Sequence, residues 1–213
     1  MLTVWGRRTS SNVQALMWCI GELKLPFMRH DIGHRYGGND SAEFKKLNPN
    51  GTVPVLRDGD GASLWETGAI LRYLAARYGD AEFWPQDVEA RAEIDKWAEW
   101  SKINIALNFT GPIFWRVVRT APKDRDAEAI AGAISTFNAK LDIAEAQLER
   151  NAFLAGNKFT LADIQFGHVL YRYYDINIDR SGYPALKRYY DRLTARAAFK
   201  EHVMVSYDDL RVL

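Results

Sequence analysis

Asn48-Pro49-Asn50-Gly51-Thr52-Val53-Pro54-Val55-Leu56, followed by Glu66-Thr67, joins a turn, a proline opening an apolar strand, and a polar pair that can start a helix. Proline donates no ladder hydrogen bond, so Pro54 belongs at a strand's first position or on a sheet edge. A cis bond between Val53 and Pro54 would turn the Val53 backbone outward, where its N–H and C=O can pair with another extended chain. The stretch therefore predicts a strand end that holds a peptide.

Upstream, Leu2 to Trp5 reads as a strand, and Ser10-Ser11-Asn12 can cap a helix whose apolar positions Val13, Leu16, Met17, Ile20 and Leu23 recur at helical spacing. Pro26 to Ile32 reads as a second strand and Ser41 to Leu47 as a short helix. Val53 to Arg57 and Ala62 to Trp65 form a hairpin across Asp58-Gly59-Asp60-Gly61, before Glu66 to Tyr78 resumes helical periodicity. This βαβαββα order predicts a small mixed sheet with helices on its faces, an α/β unit over residues 1–80. Residues 81–87, with Pro85, read as a linker, and 88–213 read as helices only. Long helical patterns run from about Val88 to Arg119, with a kink expected at Gly111-Pro112, and from Lys123 to Arg150, the two packing antiparallel. Thr160-Leu161-Ala162-Asp163 has the spacing of a capping box that opens a further helix.

Composition sets the class. A chain of 213 residues with 47% hydrophobic and 26% charged side chains can bury one large core or two modest ones. Twenty-eight basic against 27 acidic side chains leave a net charge of +1, which argues against attraction of the whole chain to nucleic acid or an anionic membrane. No segment approaches the roughly 18 consecutive apolar residues of a membrane span, and the first residues enter a strand without the order of a signal peptide. Cys19 is the only cysteine, which excludes an internal disulfide and makes a reducing cytoplasm the expected home. The four histidines are dispersed, no metal-ligand spacing or phosphate-binding loop is present, and Gly37-Gly38 alone makes no nucleotide cradle. No metal, nucleic acid or membrane partner is expected.

Taken together, Ser10-Ser11-Asn12, Asn48 to Leu56, Glu66-Thr67 and Phe153-Leu154-Ala155-Gly156 through Phe159 to Asp163 resemble the cytosolic glutathione S-transferases over nearly the whole chain. The resemblance is to their serine-type bacterial, theta and zeta-like branches, because no Tyr precedes Tyr36 and no Cys precedes Cys19. It implies a thioredoxin-like glutathione domain followed by an all-helical domain that holds an electrophile, a homodimer, and glutathione as cosubstrate of a transferase. A protein of the same fold that binds glutathione or a hydrophobic ligand without turnover is the alternative.

On that resemblance, Ser10 matches the catalytic serine, with Ser11, Thr9 and Asn12 as alternatives, since one residue's difference in the turn would change the assignment. Lowering a thiol's pKa by about 2 takes about 2.7 kcal/mol of selective stabilisation of the thiolate. A hydroxyl hydrogen bond to an anion supplies roughly 1.5–3 kcal/mol, and a helix N-terminus roughly 0.3–1 kcal/mol. The resemblance gives Val53, with Thr52 and Pro54, the cysteinyl backbone, while Glu66 and Thr67 at a helix start meet the γ-glutamyl ammonium and carboxylate. Asn39 falls where the glycyl carboxylate is held, a place more often His or basic; His34, Arg35, Lys45 and Lys46 lie near enough in sequence to supply the charge. In the helical half, Trp97, Trp100, Phe109, Phe114 and Trp115 alternate with polar residues, and Phe109, Trp115 and Arg116 are the expected electrophile contacts. Asp163 reads as a structural cap, and Cys19, inside the first helix and away from its N-terminus, as a packing residue.

Overall fold

The computed structural model describes residues 1–212. Strand β1 (Leu2–Trp5) lies at the centre of a four-stranded sheet of order β2-β1-β3-β4. Its neighbour β2 (Phe27–His30) runs parallel, and β3 (Val55–Asp58) runs antiparallel with Trp5 opposite Val55. The edge strand β4 (Leu64–Trp65) pairs with β3, Val55 opposite Trp65. Between them come α1 (Ser11–Glu22) and α2 (Ala42–Leu47), and after β4 comes α3 (Thr67–Tyr78), so the expected βαβαββα order holds. The strand boundaries shift: β2 shortens to Phe27–His30, β3 begins at Val55, after Pro54, because Pro54 contributes no ladder donor, and β4 keeps only its last two residues.

Helix α1 is buried from Val13 to Ile20, since α3 and the C-terminal helices pack against it and it shares one core with Leu2, Val4 and Leu56 of the sheet. Trp18 donates from Nε1 to Glu22 Oε1 (2.8 Å), and the Glu22 carboxylate takes a bidentate pair from Arg196 (2.7 Å each), whose guanidinium sits 3.7 Å over the Phe159 ring. Cys19 is fully buried, and burial holds its thiol protonated, well above its ordinary pKa.

The turn of residues 48–52 is held from two directions. Buried Asn48 donates from Nδ2 to Thr52 O (2.8 Å) and accepts from Asn50 N at Oδ1 (3.0 Å), while Asn39 Nδ2 donates to Gly51 O (2.9 Å). Gly51 has φ +64°, and a Cβ there would stand 3.0 Å from Asn39 O, so glycine is required twice over. The Val53-Pro54 bond is cis.

The remainder is helical: α4 (Val88–Trp100), α5 (Ala127–Leu148), α6 (Leu161–Gly167), α7 (Leu170–Asp175), α8 (Pro184–Thr194) and α9 (Ala197–His202). Before α4, Phe83 and Trp84 are buried and Asp80 Oδ1 accepts from Phe83 N (2.8 Å), which anchors the connecting segment. Arg72 on α3 reaches Asp95 (2.6 Å) and Glu99 (2.7 Å) on α4. Beyond α4 the chain stays helical to Val118, but Ser101–Ala106 and Thr110–Trp115 are π-helical in place of the kink expected at Gly111-Pro112. Ser101 Oγ donates to Trp97 O (2.7 Å), and Asn104 and Asn108 donate to Trp100 O (3.2 Å) and Asn104 O (3.0 Å), satisfying carbonyls that the wider turns release. Gly167 packs so closely that a Cβ would lie 2.5 Å from Leu193 Cδ1 and 3.0 Å from Trp18 Cη2.

Among the described residues no helix is long and apolar enough to cross a membrane, and no group of His, Cys, Asp and Glu is placed to hold a metal ion.

Candidate active site

The C-terminal ends of β1 and β2, the start of α1, the 48–53 turn and the π-helical segment enclose a cavity of about 310 Å³. Thr9, Ser10, Ser11 and Asn12 line one side, and Asn39, Gly51, Thr52 and Val53 another. The sequence thus brings the helix start and the proline-led strand end, separated by some forty residues, to one space.

The four residues of the helix start are not equivalent. Ser10 is the N-cap of α1, 8% exposed, and its hydroxyl makes no cap bond, so it is available to a ligand. Asn12 is engaged: its Oδ1 accepts from Lys102 Nζ (3.2 Å). Thr9 Oγ1 is sealed from solvent and has no partner, while Thr9 O accepts from Arg172 Nη2 (2.7 Å). Ser11 is the first residue of the helix and half-buried.

Glu66 and Thr67 lie outside the cavity's lining, at the N-terminus of α3. Glu66 is exposed and holds φ +69°, a conformation that costs a side-chain-bearing residue roughly 1–3 kcal/mol and that clusters at ligand sites. Lys102 connects the two places: it bonds Asn12, its pKa is lowered by burial, and the charges of Glu66 and Glu99 act against that lowering.

Three arginines that the sequence reading did not place in the site, Arg7, Arg119 and Arg172, line the cavity together with His34. Arg172 is 3% exposed, its guanidinium 4.5 Å from the Phe114 ring and 5.5 Å from the Tyr207 ring. Burial lowers its pKa to about 10, so it stays charged at neutral pH. Burial chiefly, and then the charges of Arg7 and Arg119, lower His34. Of the cations proposed from sequence for the Asn39 region, His34 lines the cavity; Arg35 is exposed and pairs with Asp209 (3.4 Å), and Lys45 and Lys46 are exposed on α2, outside the lining.

The electrophile contacts need correction. Phe109 is fully buried among Phe114, Phe137 and Tyr173, at ring separations of 6.2, 5.5 and 6.1 Å, and belongs to the core. Arg116 is exposed and outside the lining; Arg119, with its guanidinium 5.1 Å from the Trp115 ring, takes that place. Trp115 does line the cavity, with Thr110 and Leu210 beside it. Of the three residues expected around Gly111-Pro112, the structure thus brings Trp115 to the cavity and leaves Phe109 and Arg116 outside its lining.

Comparison with known proteins agrees with this geometry. Residues 1–76 match the family model of the glutathione S-transferase N-terminal domain, and residues 105–197 that of the C-terminal domain. Glutathione S-transferase GstB of Escherichia coli K12 is 35% identical over 206 residues, 96% of this chain and 99% of that protein. The theta class glutathione S-transferase of Xanthomonas axonopodis pv. citri, solved with glutathione bound, superposes with a TM-score of 0.91 at 40% identity, covering 96% of this chain and 98% of that one. A glutathione S-transferase structure from Pseudomonas fluorescens Pf-5 gives 0.80 at 27% identity, covering 96% and 99%. Both halves of the chain match one family and a relative aligns over nearly its whole length, so the chain belongs to the glutathione S-transferase family.

Proposed function

We propose that this glutathione transferase activates its cosubstrate through Ser10. The observation that carries the reading is the free Ser10 hydroxyl at the α1 N-terminus, in the cavity that Val53 also lines. The hydroxyl donates to the glutathione sulfur, and the α1 amides and Arg172 add positive potential where the thiolate forms. The thiolate then attacks a small electrophile resting on the helical wall at Trp115 and Thr110. Non-catalytic binding is less favoured, because a binding protein has no use for an unengaged hydroxyl beside buried positive charge.

The tripeptide is read along its length. Val53 pairs its backbone with the cysteinyl unit, as a strand end does, with Thr52 and cis Pro54 shaping that edge. Arg7, rather than Asn39, is the cation for the glycyl carboxylate: Asn39 spends its amide on Gly51 O, and Arg7 comes within 3.2 Å of where a Cβ on Gly33 would be. Glu66 takes the γ-glutamyl ammonium, and the α3 amides with the Thr67 hydroxyl take the carboxylate. Residues 1–80 are then the glutathione-binding domain, 81–87 the linker and 88–213 the electrophile-binding domain. Glu66→Gln and Thr67→Ala are each expected to weaken glutathione binding about tenfold, the loss of one charge-assisted hydrogen bond. Isothermal titration checks this; unchanged affinity in both variants rules the γ-glutamyl assignment out.

The assembly proposed is a homodimer in the cytoplasm. Trp65 on the edge strand, and Ile103 and Leu107 on the π-bearing helix, are exposed apolar side chains that a second copy would cover. Light scattering should give twice the 24.3 kDa chain mass, and a monomer at micromolar concentration would refute it.

A further inference from the structure

The cavity carries more positive charge than glutathione uses. Arg7, Arg119 and Arg172 line it, and no acidic residue does. The acid that most affects them, Asp209, raises the pKa of Arg7, His34 and Arg172 but is itself paired with Arg35 at 3.4 Å. Arg172 is more than nine-tenths buried, spends one nitrogen on Thr9 O, and has its Nε sealed from solvent without a partner; Arg7 Nε is likewise sealed and unpartnered. Among the described residues the Arg119 side chain makes no hydrogen bond or ion pair; its guanidinium lies 5.1 Å from the Trp115 ring, and its charge acts on Arg7 and His34 across the cavity. In the site as read above, on which this inference rests, the glycyl carboxylate meets Arg7 and the thiolate lies beside the Thr9–Ser10 turn that Arg172 holds. That leaves Arg119, beside Trp115, as the cavity arginine to which the glutathione reading gives no role, and among the described residues no acidic side chain pairs with it.

We propose that the electrophile is a small molecule bearing a carboxylate, which the Arg119 guanidinium holds with the reacting part of the molecule over Trp115. Guanidinium groups bind carboxylates in a fixed fork, so the contact orients as well as attracts. The Thr110 hydroxyl, on the same wall, supplies a further donor. For a carboxylate-bearing halide, the sulfur lone pair forms the new C–S bond as the C–halogen bond breaks and the halide leaves with its electron pair. The carboxylate does not react, and no oxidant or reductant is needed. A neutral, purely apolar electrophile of the same shape would leave Arg119 desolvated and unpaired, a penalty paid on every binding event.

The test compares 4-chloro-3,5-dinitrobenzoate with 4-chloro-3,5-dinitrobenzamide, each rate divided by its uncatalysed rate with glutathione. The intact protein should favour the benzoate in kcat/KM by about tenfold or more, the worth of one charge-assisted contact. Arg119→Gln should bring the ratio near one, and Arg119→Lys should restore part of it. A ratio near one in the unsubstituted protein overturns the proposal, whatever the variants do. So does an Arg119→Gln protein that slows both substrates equally while raising the pKa of bound glutathione, since Arg119 would then serve the thiolate. Glutathione affinity, measured alongside, separates a failure of this inference from a failure of the glutathione site itself.

Discussion

Asp163→Ala should destabilise the protein by about 4 kcal/mol, read as a lowered urea midpoint with little change in slope. The carboxylate is fully buried at the start of α6. Its Oδ1 accepts from Leu154 N (2.9 Å) and Tyr189 Oη (3.0 Å), and its Oδ2 accepts from Thr160 N (2.8 Å) and Thr160 Oγ1 (3.3 Å). Alanine strands these donors in a dry interior, which costs roughly 1–3 kcal/mol per unsatisfied group before any relaxation. The same side chain has a pH signature. Burial raises its pKa from 3.8 to about 6, against the pull of its four donors. Because the folded-state value is the higher one, the folded state binds the proton more tightly. The stability this confers is complete below about pH 4 and is lost as pH rises through about 6. That segment of the stability profile should be missing from Asp163→Ala. A loss under about 1 kcal/mol would mean the donors find other partners and the carboxylate is no keystone.

Ser10→Ala should raise the pKa of bound glutathione by about 1–2 and lower kcat/KM at neutral pH about 10- to 100-fold, with glutathione affinity changed about threefold at most. The hydroxyl bonds the sulfur alone, whereas the tripeptide's affinity comes from its two carboxylates, its ammonium and its backbone. Titrating the ultraviolet absorbance of the bound thiolate in both proteins separates these effects. Ser11→Ala carrying the change, with Ser10→Ala behaving normally, would move the catalytic role one residue along.

Much of this was legible in sequence for local reasons. A proline opening a strand, a hydroxyl cluster before a helical period and a polar pair starting the next helix are short-range patterns, so β1, α1, β3 and α3 fell close to where they were expected. The capping spacing at Thr160–Asp163 likewise identified a real helix start. What was not legible depends on tertiary convergence. Arg7, Arg119 and Arg172 are far apart in the chain, and each alone resembles an ordinary surface cation. Their common cavity emerges only when β1, the π-helical segment and α7 are packed together. The π-turns were hidden for a related reason, since no propensity marks where one extra residue enters a helix; Ser101, Asn104 and Asn108, which donate to the released carbonyls, were the available hint. Lys102 was missed because its partner Asn12 lies 90 residues away.

A crystal structure with glutathione bound addresses the site most directly. With Ser10 as the activating residue, the sulfur lies within hydrogen-bond distance of Ser10 Oγ, the cysteinyl backbone pairs with Val53, and the glycyl carboxylate meets Arg7. A sulfur bonded instead by Ser11 or another donor, with the Ser10 hydroxyl turned away, would contradict it.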